Sequence, residues 1–241
     1  MGPGRQNEPS QPVNTLSERR RRNVTSTAPP GDFFQGFADV FDTFYDGKRS
    51  RVMQWVDRRF RHDMFERYRL TFARLGNLND KSGIDIGCGS GPYVVEALQR
   101  GARHVAALDP APRMLQLTRE RVSRLRADGR VSYHDGYFPG VAPAGPFDFA
   151  IVMGVLDYVA DAATFLRALR AIVSGAAVLS FPSRHWLRTP IRAVRYRLRR
   201  CPVYFYDDAL IRSLATQAGW SRVEIEKIPG AGMDYHVCLR P

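Results

Sequence analysis

Between Ile84 and Tyr93 the chain reads Ile-Asp-Ile-Gly-Cys-Gly-Ser-Gly-Pro-Tyr, a short apolar strand with an acidic residue near its end that runs into three glycines at alternate positions. Glycines at this spacing let the backbone take turn conformations closed to residues with a Cβ, and they bring main-chain N–H groups against a ligand. The apolar pattern resumes at once in Val94, Val95, Ala97 and Leu98, so a helix starts there with its N-terminus facing the same ligand. A strand, a glycine turn and a helix in this order demand an α/β fold. They imply a nucleotide-like cofactor.

The spacing narrows the choice. Dinucleotide-binding turns read G-x-G-x-x-G, whereas Asp85, Gly87, Gly89 and Gly91 read D-x-G-x-G-x-G, which argues against NAD or FAD. The stretch resembles the first motif of the class I S-adenosylmethionine (SAM)-dependent methyltransferases, and the resemblance continues down the chain. A second strand, His104 to Leu108, ends in Asp109 and is followed by Pro110-Ala-Pro-Arg-Met114, as in the family's second motif. Val131 to Gly136 is similar to its third strand, with Asp135 and Gly136 beside the adenine. Phe147 to Tyr158 is similar to its fourth strand, which carries Met153 towards the cofactor. The resemblance covers roughly residues 80 to 180, more loosely the rest. It implies SAM as cofactor and S-adenosylhomocysteine (SAH) as product, held by Asp85, Gly87, Cys88, Gly89, Gly91, Asp109, Pro110, Met114, Asp135, Gly136 and Met153. Asp109 would take the two ribose hydroxyls, since a carboxylate accepts two hydrogen bonds side by side.

Regular alternation of strands and helices predicts a mainly parallel sheet covered on both faces. Helices are expected over 91–101, 111–126, 161–173 and 207–218, and strands over 104–109, 130–134, 147–153, 176–181, 221–228 and 233–239. With the resemblance, this becomes a Rossmann-like methyltransferase fold with a seven-stranded sheet whose last pair includes one antiparallel strand. Gly219 is placed to end the last helix in a left-handed conformation.

Two segments lie outside this plan. Residues 1–31, rich in Gly, Pro, Gln, Asn, Ser and Arg, have no apolar periodicity and are expected to be a disordered tail; residues 32–241 then form one domain. Within it, Phe33, Phe34, Phe37, Val40, Phe41, Phe44 and Tyr45 recur at helical intervals, as do Val52, Trp55, Val56, Phe60, Met64, Phe65, Tyr68 and Phe72 over 52–75. By resemblance, 32–78 is a helical lid, with Phe41 and Tyr45 on the acceptor. The second segment, 182–206, follows the fifth strand and so leaves from the carboxyl edge of the sheet, where open α/β sheets bind ligands. Its seven arginines alternate with aromatic and aliphatic residues, which makes it the candidate selector of substrate through Arg184 and Trp186.

Methyl transfer from a sulfonium needs alignment more than covalent catalysis, and a base helps only an acceptor of high pKa. Asp157 lies where many small-molecule members carry His, and Tyr158 and His185 are the further polar candidates for a catalytic role. The Asp/Asn-Pro-Pro-Tyr motif of enzymes that methylate exocyclic amino groups is absent from 153–158.

Composition excludes other classes. Cys88, Cys201 and Cys238 show no paired metal-ligand spacing, so neither a metal site nor a disulfide framework is expected. No apolar run reaches bilayer length and the first thirty residues lack a signal-peptide core, so a cytoplasmic protein is expected. The formal charge of +12 favours anionic partners. The first reading is therefore a methyltransferase acting on O or N of a small molecule, an anionic one if the arginines grip it. RNA or a lipid head group, with the basic segments on nucleic acid or a membrane surface, is the alternative acceptor, and a non-catalytic SAM-binding protein is the third reading.

Overall fold

The computed structural model describes residues 65–183, 204–228 and 234–241. The expectations for the tail at 1–31, the lid helices before residue 65 and the span from Arg184 to Val203 lie outside the described residues.

Seven strands form one sheet: β1 (Ser82–Ile86), β2 (His104–Asp109), β3 (Val131–Asp135), β4 (Phe147–Val152), β5 (Val173–Phe181), β6 (Arg222–Lys227) and β7 (Tyr235–Arg240). Their order is β3-β2-β1-β4-β5-β7-β6. The first five pair in parallel, while β7 runs antiparallel to both β5 and β6. The direction of the connection from β1 reverses at the β1–β4 border. That leaves a crevice at the carboxyl ends of the strands, the place where doubly wound sheets bind ligands.

The central strands are mainly apolar because both faces are covered. On one face lie α1 (residues 65–75), α2 (Pro92–Gln99) and α3 (Pro112–Arg124), which bury Phe72, Leu75, Val94, Leu98, Leu115 and Val122 against Ala107, Ile151 and Val178. On the other, α4 (Ala162–Ile172) and α5 (Asp208–Gln217) bury Phe165, Leu166, Leu169 and Ile211 against Ile84, Leu108, Val152 and Leu179. Each helix has a local cause. Asp161 and Asp207 cap α4 and α5 by accepting the N–H groups of Thr164 and Leu210 at 3.0 and 2.8 Å, a cap worth about 1 kcal/mol. Gly219, at φ +88°, ends α5 as expected, and Trp220 behind it is buried with its indole N–H on the Leu166 carbonyl.

Among the described residues the expected strands and helices are found, with shifts of up to three residues at their ends. The largest is β5, which starts at Val173 rather than 176, directly at the end of α4. Gly175 makes the early start possible: a Cβ there would collide with the Asp148 carbonyl oxygen of β4, where the register shifts. The Ser174-Gly175 pair is thus strand under close backbone approach.

α1 is tied to β6, β7 and α2 by polar contacts. Arg67 pairs with Asp234 at 3.1 Å, Arg74 pairs with Glu224 and Glu226, and Tyr68 donates to Glu96 at 2.7 Å. Thr71 donates to the Arg67 carbonyl at 2.7 Å, so its oxygen accepts from His236 Nε2–H at 3.2 Å. His236 is 1% exposed, and burial first, then Arg74 and Arg67, lower its pKa to about 3. It is a neutral buried peg between α1 and the sheet.

Candidate functional site

The turn after β1 is built from both sides. Gly87, Gly89 and Gly91 take φ values of +72°, +53° and +81°, the left-handed region in which only glycine is free of strain. The N–H groups of Gly87 and Cys88 donate to the Leu108 carbonyl at 2.7 and 3.1 Å, which ties the turn to β2. A Cβ on Gly87 would strike Val155, and one on Gly91 would lie 2.6 Å from Thr118; a Cβ on Gly89 would meet nothing within 4 Å. Gly87 and Gly91 are therefore glycines because the protein packs against them. Gly89 faces open space.

Around that space the groups are polar. Asp109, at the end of β2, accepts the N–H of Gly89 and of Ala111, both at 2.9 Å, one on each oxygen. Each oxygen keeps lone pairs for further donors. Burial raises the Asp109 pKa, with the two N–H bonds pulling the other way. Asp85 is 1% exposed, and its Oδ2 has no hydrogen-bond partner among the described residues. Burial and then the nearby Asp109 hold its pKa well above the usual carboxylate range. A buried carboxylate without a donor is costly on its own; a cationic ligand group would relieve it. α2 follows its N-cap Gly91 with Pro92 in its first turn and no capping side chain, and such a helix N-terminus favours an anionic group. The cradle thus offers acceptors for hydroxyls, a carboxylate for a cation and helix N–H groups for an anion.

Residues 60–225 match the methyltransferase domain family. The chain belongs to the class I SAM-dependent methyltransferases.

Relatives and neighbours of the chain agree with that placement. A ubiquinone biosynthesis O-methyltransferase of Serratia proteamaculans is 27% identical over 154 residues, 61% of this chain and 62% of that protein. A ribosomal protein L11 methyltransferase of Xanthomonas axonopodis pv. citri is 31% identical over 110 residues, 46% of this chain and 35% of the other. These curated relatives are thus matched over about a third to three fifths of their length. In fold the chain is similar to the magnesium protoporphyrin IX methyltransferase of Synechocystis solved with SAH, with a TM-score of 0.70 at 20% identity, covering 88% of this chain and 98% of that one.

The chemistry of the donor set fits SAM. Asp109 would take the ribose diol, Asp85 the ammonium, the α2 N-terminus the carboxylate, and the open space at Gly89 the close approach of the ligand to main chain. The remaining residues expected around the cofactor have distinct places. Pro110 and Met114 follow β2, with Met114 buried beside Ala111 and Leu117. Asp135 is the register partner of Asp109 at the end of β3, and the N–H of Gly136 reaches the Asp109 carbonyl at 3.3 Å. Met153 follows β4 and packs on the α1–α3 face of the sheet. Cys88 turns inward: its thiol is buried in the core, 3.7 Å from the Gly89 carbonyl and 3.9 Å from Thr118 Oγ, and burial raises its pKa. It supports the turn from below.

Asp157 and Tyr158 lie in the loop that joins β4 to α4, at the same edge of the sheet. Asp157 is buried, and its main-chain carbonyl accepts the Tyr204 N–H at 2.8 Å. Phe41, Tyr45, Arg184, His185 and Trp186 lie outside the described residues. Among the described residues no group of His, Cys, Asp and Glu could hold a metal ion, and no helix is long and apolar enough to cross a membrane.

Several residues that shape the site carry no sequence signal. Thr118, fully buried on α3, donates to the Gly89 carbonyl at 2.8 Å and fills the space that Gly91 leaves. Val155 closes over Gly87, so the β4–α4 loop rests directly on the glycine turn. Ser180 on β5 accepts the Gly154 N–H at 2.8 Å and fixes the start of that loop. The helical and strand patterns place these residues inside, but only the crossing of elements brings them to the turn.

Proposed function

We propose that this methyltransferase methylates an oxygen or nitrogen of a small-molecule acceptor bearing phosphate or carboxylate. When bound, SAM supplies an electrophilic methyl group whose departure leaves SAH. The protein's part is to hold the cofactor by Asp85, Asp109 and the α2 N-terminus and to bring the acceptor atom into line at the β4–β5 edge. Alignment of that kind contributes several kcal/mol without a covalent catalyst. Asp157 orients the acceptor or takes its proton, with Tyr158 and His185 as polar neighbours, while Phe41 and Tyr45 of the lid segment cover it.

The observation that carries the anionic acceptor is the distribution of charge. The described residues hold 18 basic and 16 acidic side chains, close to balance, whereas residues 184–203 hold seven arginines and no acid. Basic excess spread over a surface would point to no ligand; seven of the twelve net positive charges fall in a segment that leaves the sheet at Ser183 and returns at Tyr204, beside the Asp157 loop, which supports an anionic acceptor there. Arg184 leads that segment, and arginine's planar fork grips phosphate and carboxylate in a bidentate way. Trp186 supplies an apolar face next to it.

A macromolecular acceptor is the second reading, favoured by the likeness to a ribosomal protein L11 methyltransferase. Calorimetric titration of wild type and Asp109→Ala with SAM and SAH comes first: micromolar binding lost in a folded variant supports the cofactor site, and no binding to wild type refutes it. Incubation with isotopically labelled SAM and a low-mass metabolite extract then seeks a mass gain of one methyl group that survives raised salt. Strongly salt-dependent labelling of RNA, protein or anionic vesicles instead favours the second reading.

A further inference from the structure

The segment 204–206 does more than lead into α5. Tyr206 forms an isolated parallel bridge with Ser183, and its N–H donates to the Pro182 carbonyl at 2.9 Å, so the returning chain is pinned to the outgoing one just past β5. Its ring stands edge-on to Phe181, with centroids 5.0 Å apart, and the residue is buried. From there the hydroxyl points across to the β4–α4 loop, 3.3 Å from the Leu156 carbonyl oxygen and 3.5 Å from that of Val159. Burial and then the charge of Asp157 raise the pKa of this phenol, so it stays a donor throughout the working range. Two positions earlier, the Tyr204 N–H donates to the Asp157 carbonyl.

The loop is therefore held at two separate places. Ser180 holds Gly154 at the entry, and Tyr204 with Tyr206 hold Leu156 to Val159 at the far side. Between them Val155 rests on Gly87 and the Tyr158 N–H closes a turn on the Val155 carbonyl at 2.9 Å. We propose that Tyr206 is a positioning residue that clamps the Leu156–Val159 turn, and with it Asp157 and Tyr158, onto the chain that returns from residues 184–203. The geometry of the acceptor side and the anchoring of that return are then one joint. This rests on the reading of the β4–β5 edge as the acceptor side.

Tyr206→Phe keeps the ring against Phe181 and removes only the hydroxyl. Loss of one hydrogen bond of ordinary net worth corresponds to roughly two- to tenfold in a local opening equilibrium. Residue-resolved amide hydrogen exchange, with and without SAH, is the test. The Tyr158 and Tyr204 amides are expected to exchange faster by that factor, while the Gly154 amide, held by Ser180, keeps its wild-type rate and SAH affinity stays within about twofold. Tyr204→Phe is the control, because its contact is made by main chain, and it is expected to leave all three amides unchanged. Wild-type rates at Tyr158 and Tyr204 in Tyr206→Phe would overturn the clamp. So would equal acceleration at Gly154 and across α5, which would make Tyr206 a packing residue whose loss loosens the whole domain. Failure of the wild type to bind SAH would overturn the methyltransferase reading instead, with the amide pattern still deciding the clamp.

Discussion

Gly89→Ala separates the two reasons for glycine in the turn. Its φ of +53° is left-handed, and a Cβ there meets no protein atom within 4 Å. The fold should lose only the conformational cost of an L-residue in that region, about 1–2 kcal/mol. The new methyl group would nevertheless stand in the space assigned to SAM. Overpacking by one methyl group costs about 1–3 kcal/mol, which corresponds to a Kd weaker by roughly five- to 150-fold. Gly91→Ala is the contrast: a similar backbone strain is joined by a Cβ 2.6 Å from the buried Thr118, so stability should fall further than in Gly89→Ala. Urea unfolding of the two variants beside calorimetric titration with SAH measures both effects. A folded Gly89→Ala that binds SAH as the wild type does would refute the placement of the cofactor over Gly89.

Three further outcomes follow from buried titratable groups and the Asp109 carboxylate. Asp85, with its raised pKa, keeps its proton in the fold when the unfolded chain has lost it, so apoprotein stability is full below the ordinary carboxylate range and declines as pH rises through it. Asp85→Asn should abolish that decline and gain on wild type towards neutral pH, yet bind SAM roughly ten- to 150-fold more weakly for want of a charge-assisted hydrogen bond; pH-resolved unfolding and titration show whether the two effects go together. His236, with its pKa lowered to about 3 against an ordinary 6.5, takes up a proton on unfolding between those values. Wild type should therefore lose about 1.4 kcal/mol per pH unit below pH 6.5 relative to His236→Gln, and parallel acid-unfolding curves would contradict the neutral peg. Asp109→Ala removes the acceptor of the Gly89 and Ala111 N–H groups as well as the carboxylate proposed to hold the ribose, so it should lower the urea midpoint while abolishing SAM binding; a variant of unchanged stability would show that the turn stands without its carboxylate.

The order of strands and helices, the glycine turn and the two acidic strand ends were legible because they rest on local causes. Alternating apolar runs mark strands buried on two faces, three- and four-residue intervals mark helices, and positive φ at a tight turn calls for glycine. Asp109 stood out because it follows an apolar strand directly. The start of β5 was less legible, because Gly175 lies where the backbone closely approaches Asp148, and a glycine in one sequence does not say whether it marks a bend or such an approach.

What the sequence by itself determined is the list of elements and the cradle that two neighbouring strand ends create. Only the tertiary structure decided which glycine faces protein and which faces open space, that Cys88 supports the turn from the core, and that His236 lies neutral under α1. It alone brought Thr118, Val155, Ser180 and Tyr206 to the site. The physical reason is that these contacts join residues tens of positions apart, as Val155 and Gly87 or Tyr206 and Leu156 are. Such pairs leave no periodicity or spacing to read, because the crossing of packed elements makes them neighbours.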